Sequence, residues 1–90
     1  MIYDWNREKD EQLQVERGVS FLDVVEAVSG SGFVADIAHP NHGKYGHQRV
    51  LVVDIGGYAY YVPYVVQEDG TRFLKTAFPS RNATKKYLSK

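Results

Sequence analysis

The sequence predicts an α+β domain with an antiparallel sheet, its elements in the order β-α-α-β-β-β-β-α. Three observations carry that prediction. Phe21, Val24, Val25 and Val28 recur at helical spacing, so one face of that segment is buried. Two β-branched and aromatic runs, Val50 to Ile55 and Tyr58 to Val66, flank a Gly56-Gly57 pair suited to a tight hairpin turn. A last helix opens after Pro79, with Ser80 as its cap.

Taken in chain order, Ile2 to Trp5 is a short strand. Asn6 or Asp4 caps a charged helix, Arg7 to Arg17, that Gly18 stops. Ser20 and Asp23 have the spacing of a capping box for the second helix, and Ser29-Gly30-Ser31-Gly32 ends it. Phe33 to Ile37 is the next strand, followed by a polar loop. The Val50–Ile55 and Tyr58–Val66 hairpin comes next. Asp69-Gly70 marks a second turn, Arg72 to Phe78 a further strand, and Arg81 to Leu88 the final helix. The chain of 90 residues is one domain, 1–90, long enough for a single core.

Composition narrows the function classes. A hydrophobic fraction of 43% and an aromatic fraction of 13% fit a folded protein. The cysteine count of 0 removes disulfides, thiolate zinc sites and thiol nucleophiles. No apolar run has the length of a membrane span, and the first residues do not read as a signal peptide, so a cytoplasmic protein is expected. The net charge of +0 hides an asymmetry. Met1 to Glu26 holds seven acids and three bases, whereas Thr71 to Lys90 holds six bases and no acid. Such a basic segment is the footprint expected for a polyanion or an acidic partner; the simpler reading is a lysine-rich terminal helix that aids solubility.

Chemistry-bearing side chains concentrate in His39-Pro-Asn-His-Gly-Lys-Tyr-Gly-His-Gln-Arg49, where all three histidines fall. A two-residue Gly56-Gly57 turn sets Arg49 opposite Tyr64. A two-residue Asp69-Gly70 turn would then set Tyr64 opposite Lys75, giving a row Arg49, Tyr64, Lys75 on the face of Leu51, Val53, Tyr60 and Val62. A longer second turn is expected to shift that partner by two residues and keep the faces. Pro63 cannot donate to the sheet ladder, which implies a bulge or an edge near the row.

Metal-free RNA cleavage needs proton-transfer groups and cations for the phosphorane charge. His47, His39 or Tyr64 would supply the first, and Arg49, Lys75 and Arg81 the second. Tyr45, Tyr60 and Tyr61 offer stacking surfaces, although tyrosines at 58, 60 and 61 are also ordinary sheet residues. Asp36, His39, His42 and His47 are of metal-ligand type, but their spacing matches no zinc motif, and no metal or other cofactor is expected. The remaining reading makes the histidines solvated loop residues, His42 above all.

Three segments together resemble a known family. They are Tyr3-Asp4-Trp5-Asn6-x-x-Lys9, Arg17-Gly18-Val19-Ser20-Phe21-x-x-Val24-x-Glu26-Ala27, and Pro79-Ser80-Arg81-x-Ala83-Thr84-Lys85-Lys86-Tyr87. Their order is similar to the BrnT-type toxins of bacterial type II toxin–antitoxin systems, over nearly the whole chain. The resemblance implies a RelE-like ribonuclease fold, cleavage of messenger RNA, and neutralisation by a small antitoxin encoded in the same operon. It carries the family's C-terminal helix start onto Ser80, Arg81 and Ala83, and its basic strand residue onto Arg49. The histidine loop departs from the family, whose typical members have an acidic, variable segment there. The expected catalytic set is therefore His47, Arg49, Tyr64, Lys75 and Arg81, with Lys44, Tyr45, Lys85 and Lys86 holding RNA. The alternative is a non-catalytic binding module whose basic C-terminal face docks an acidic protein.

Overall fold

The first strand, β1 (Tyr3–Trp5), pairs in parallel with β5 (Arg72–Leu74), Tyr3 opposite Arg72 and Trp5 opposite Leu74. The computed structural model describes residues 2–89. Met1, Lys90 and the side chain of His42 lie outside the described residues, and with them the expectation for His42 as a solvated loop residue and the last lysine of the basic segment.

Helix α1 (Arg7–Arg17) starts where the Asn6 side chain accepts the Lys9 backbone N–H at 2.9 Å and stops at Gly18, whose φ of 68° is left-handed. Helix α2 (Phe21–Ser29) carries the full capping box: Ser20 Oγ accepts from Asp23 N at 3.1 Å, and the Asp23 carboxylate accepts from Ser20 N at 2.9 Å. The Asp10 carboxylate also accepts from Phe21 N at 2.7 Å, so α1 helps to cap α2 and fixes the corner between them. Strand β2 (Phe33–Ala38) follows, then a single helical turn, α3 (His42–Tyr45), where irregular loop was expected. The Asn41 side chain caps it on Lys44 N.

Strands β3 (Arg49–Ile55) and β4 (Tyr58–Val66) form the hairpin, with Ile55 opposite Tyr58 and Arg49 opposite Tyr64. Gly56 and Gly57 both have positive φ, 65° and 86°, the left-handed backbone of a two-residue hairpin turn that glycine adopts without strain. The strand expected over 72–78 is two pieces, β5 and β6 (Phe78–Pro79), because one extra residue lies between them relative to β4: Tyr64 faces Leu74, but Tyr61 faces Phe78. Pro63 explains the break. Its carbonyl accepts from Lys75 N at 2.8 Å, so the N–H it lacks would have pointed at the same neighbour, and regular pairing stops there.

The strand order is β1-β5-β4-β3-β2, with β6 also on β4. The α+β class is as expected, but the sheet is mixed rather than wholly antiparallel, because β1 joins the meander in parallel. Leu51, Val53, Val62, Tyr64 and Leu74 face α1 and α2, where Leu13, Phe21 and Val24 complete the main core. Val52 and Ala59 face the other way, onto α4 (Arg81–Ala83) and the π-helical stretch Thr84–Leu88, through Ala83, Tyr87 and Leu88. Among the described residues, no helix is long and apolar enough to cross a membrane.

Candidate functional site

Face alternation puts Asp36 of β2 beside Leu51 on the α1/α2 side of the sheet, together with Arg49 and Tyr64. The second hairpin turn decides what joins them. It spans Gln67 to Thr71, closed by Gln67 N donating to Thr71 O at 2.8 Å, with Gly70 at φ 88° and the Asp69 carboxylate accepting from Thr71 N at 2.9 Å. That five-residue turn moves the register by one, not two, so the faces of β5 exchange. Tyr64 is opposite Leu74, Lys75 is on the far side of the sheet with its Nζ 5.5 Å from the Phe73 ring, and Arg72 arrives on the side of Tyr64.

The result is a four-residue cluster at one end of the sheet. Tyr64 O–H donates to Asp36 Oδ2 at 2.7 Å, and Arg49 Nε donates to Asp36 Oδ1 at 3.0 Å. A second guanidinium N–H of Arg49 donates to the Asp36 carbonyl at 3.1 Å. Arg72 Nη1 stands 3.9 Å from Asp36 Oδ2, and its guanidinium lies 5.1 Å from the Tyr64 ring centroid. Tyr64 itself is buried, at 1% exposure, but the side chains of Arg49, Asp36 and Arg72 are 50%, 25% and 21% exposed. Water and small ions therefore reach the charged atoms while the ring is locked in the core.

Burial, and then the bond to Asp36, push the Tyr64 phenol above its ordinary range, so at neutral pH it is a proton donor, not a base. The bond to Asp36 raises the already high Arg49 pKa further, and its charge is permanent. Two cations and one carboxylate leave the cluster with a surplus positive charge, in a place where a phenolic O–H also points at the anion. That is the donor set of an oxyanion receptor.

The loop from His39 to Gln48 joins β2 to β3 at the Ala38–Arg49 pair, so it borders the cluster. His39 stacks on Tyr45 with ring centroids 4.6 Å apart, Lys44 Nζ lies 5.2 Å from the Tyr45 ring, and His39 Nδ1 accepts from Asn41 N at 3.0 Å. In a neutral His39 the proton is then on Nε2. His47 is exposed in the turn before β3 and, among the described residues, makes no side-chain hydrogen bond to the cluster. No described group of three or more histidines and carboxylates has metal-binding geometry.

Of the five residues expected to be catalytic, only Arg49 and Tyr64 are brought into contact. Lys75 is on the opposite face. Arg81 is exposed beside Ser80, whose backbone N–H donates to Ala59 O at 3.0 Å. Ala59 is five residues along β4 from Tyr64 and points the other way, which at the usual strand rise separates the two by on the order of 15 Å. The Ser-x-x-Ala-Thr pattern there has a packing role: Ser80 Oγ accepts from Ala83 N, Thr84 Oγ1 accepts from Ala59 N, and Ala83 is fully buried. Lys85 and Lys86 face solvent from the same segment.

Asp36 and Arg72 were missed as site residues. Asp36 did carry a signal, as the lone acid in Phe33-Val34-Ala35-Asp36-Ile37-Ala38, since a carboxylate on a half-buried strand requires a partner. Arg72 depended on the parity of a turn that Asp69-Gly70 alone does not set.

These observations define an α+β protein with an accessible arginine–tyrosine–carboxylate cluster at the end of its sheet. Comparison with protein-family profiles, curated proteins and solved structures returned no match.

Proposed function

We propose that this chain is the toxin component of a type II toxin–antitoxin pair: a cytoplasmic, metal-independent endoribonuclease with a RelE-like fold, held inactive by a small antitoxin from the same operon. The observation that supports this reading best is the convergence of Arg49, Arg72 and the Tyr64 O–H at one end of the sheet, beside the histidine loop. In the reaction, the ribose 2′-oxygen attacks the adjacent phosphorus, the bond from phosphorus to the 5′-oxygen breaks, and a proton reaches that leaving oxygen. Arg49 and Arg72 offset charge on the phosphorane. Tyr64, a phenol whose protonated form is favoured, donates a hydrogen bond to it. His47 takes the 2′-hydroxyl proton. Tyr45 and Lys44 form the stacking and cationic edge of the RNA path. Lys75, Arg81, Lys85 and Lys86 act as distant phosphate or partner contacts.

The second reading, a binding module for an acidic protein, is favoured by one observation: Arg81, Lys85 and Lys86 are exposed on the side of the sheet away from the cluster, in a segment without acids. Induced expression decides between them. Growth arrest that the neighbouring small gene relieves, with RNA cleavage by the purified protein unchanged by a chelator, is the toxin result. Arg49→Ala abolishes cleavage and Arg81→Ala leaves most of it. A chain that neither slows growth nor cuts RNA overturns the ribonuclease reading.

A further inference from the structure

We propose that Asp36 is a built-in occupant of a phosphate site: its carboxylate holds the position between Arg49, Arg72 and the Tyr64 O–H that a phosphate group takes when ligand binds. Every strong donor of the cluster converges on this one side chain, at 2.7 Å from the phenol, 3.0 Å from Arg49 and 3.9 Å from Arg72. A carboxylate and a phosphate present similar oxygen pairs to guanidinium groups, so a receptor for one is a receptor for the other. The Arg72 contact is longer than a hydrogen bond, so Asp36 bonds Arg49 and Tyr64 directly and meets Arg72 through charge alone. The site is also open enough for exchange, because Arg49 is half exposed while Tyr64 beneath it is fixed by the core.

Phosphate binding then consists of displacement. The Asp36 side chain rotates away, its charge passes to solvent, and the three donors transfer to the incoming oxygens. The bound carboxylate lowers affinity in the resting protein, acting as an internal competitor. The inference rests on the ribonuclease reading for its choice of phosphate, but it is read out by binding, so a failure to cleave RNA leaves it standing.

The test compares wild type with Asp36→Asn, which keeps the shape and removes the charge. Two probes are titrated at fixed salt: inorganic phosphate, and a short single-stranded RNA lacking terminal phosphates. Loss of one competing charge at a half-exposed site is expected to tighten binding by about tenfold for the favoured probe. Tightening for both probes identifies a general phosphate receptor, and tightening for RNA alone identifies a phosphodiester site shaped by the loop. Adding Arg72→Gln to Asp36→Asn is expected to remove the gain. Unchanged affinity for both probes in Asp36→Asn, or a gain that survives Arg72→Gln, overturns the proposal. Circular dichroism checks the fold of each variant, and Asp36→Ser replaces Asp36→Asn with the same expectations if the latter does not fold.

Discussion

Removing a single oxygen from the cluster, by Tyr64→Phe, isolates the phenol–carboxylate bond from the packing of the ring. The ring is fully buried and remains, so the change deletes one hydrogen bond of 2.7 Å to a charged acceptor. Bonds of that kind contribute about 1.5–3 kcal/mol, and the quarter exposure of Asp36 places this one at the low end, about 1.5 kcal/mol. For a chain of this size that lowers Tm by roughly 6–12 °C. Asp36→Ala removes the same bond and also leaves the phenol and two guanidiniums without their anion, so it is expected to cost more, about 2–3 kcal/mol. The double variant should cost little beyond Asp36→Ala alone, giving a coupling of about 1–1.5 kcal/mol in a double-mutant cycle. Urea unfolding of the four proteins, with slopes held equal, measures this. If Tyr64→Phe lies within about 0.5 kcal/mol of wild type, or the two changes simply add, the bond does not hold the cluster together.

Other expectations follow from the same geometry. Because the folded Tyr64 phenol titrates above the unfolded one, its stability contribution is complete below an unfolded pKa of about 10 and is lost as pH rises beyond it. Wild type should therefore lose stability more steeply than Tyr64→Phe in alkaline urea titrations, and parallel curves would contradict this. Asp69 titrates low in the folded state because Thr71 N–H donates to it, so its contribution is present above an unfolded value of about 3.9 and disappears as pH falls through the lower folded value. Asp69→Asn should flatten the acid limb of the stability curve. A Cβ at Gly32 would stand 2.6 Å from Asp54 O and 2.8 Å from Ala27 Cβ, so Gly32→Ala forces α2 and β3 apart and should cost about 1–3 kcal/mol in the same unfolding assay.

Where local chemistry determined an element, the sequence was a reliable guide. Asn6, Ser20 with Asp23, and Ser80 each make the capping bond that their position suggests. The Gly56-Gly57 turn fixes the hairpin register through to Arg49 and Tyr64, which is why half of the row was legible. The other half failed at Asp69-Gly70, which reads as a two-residue turn but closes through Gln67 and Thr71. One residue of register exchanged Lys75 for Arg72, a difference that no composition or spacing argument resolves. Asp36 was visible only as a metal-ligand type, because its real partners come from β3, β4 and β5 and exist only once the sheet is assembled. Arg81 illustrates the opposite error: the pattern around it is strong because it docks a helix onto Ala59.

The parallel seam between Tyr3–Trp5 and Arg72–Leu74 imposes an order on synthesis. Strand β1 leaves the ribosome well before the residues of β5 that receive it are made. At typical elongation rates of about 5–20 residues per second, it waits several seconds for its partner. Until then β1 has no strand partner, although Trp5 can already meet Phe21 of α2. A nascent chain interrupted before Arg72 lacks β5, and with it one guanidinium of the Asp36 cluster. The cluster therefore comes into being only after β5 has been made.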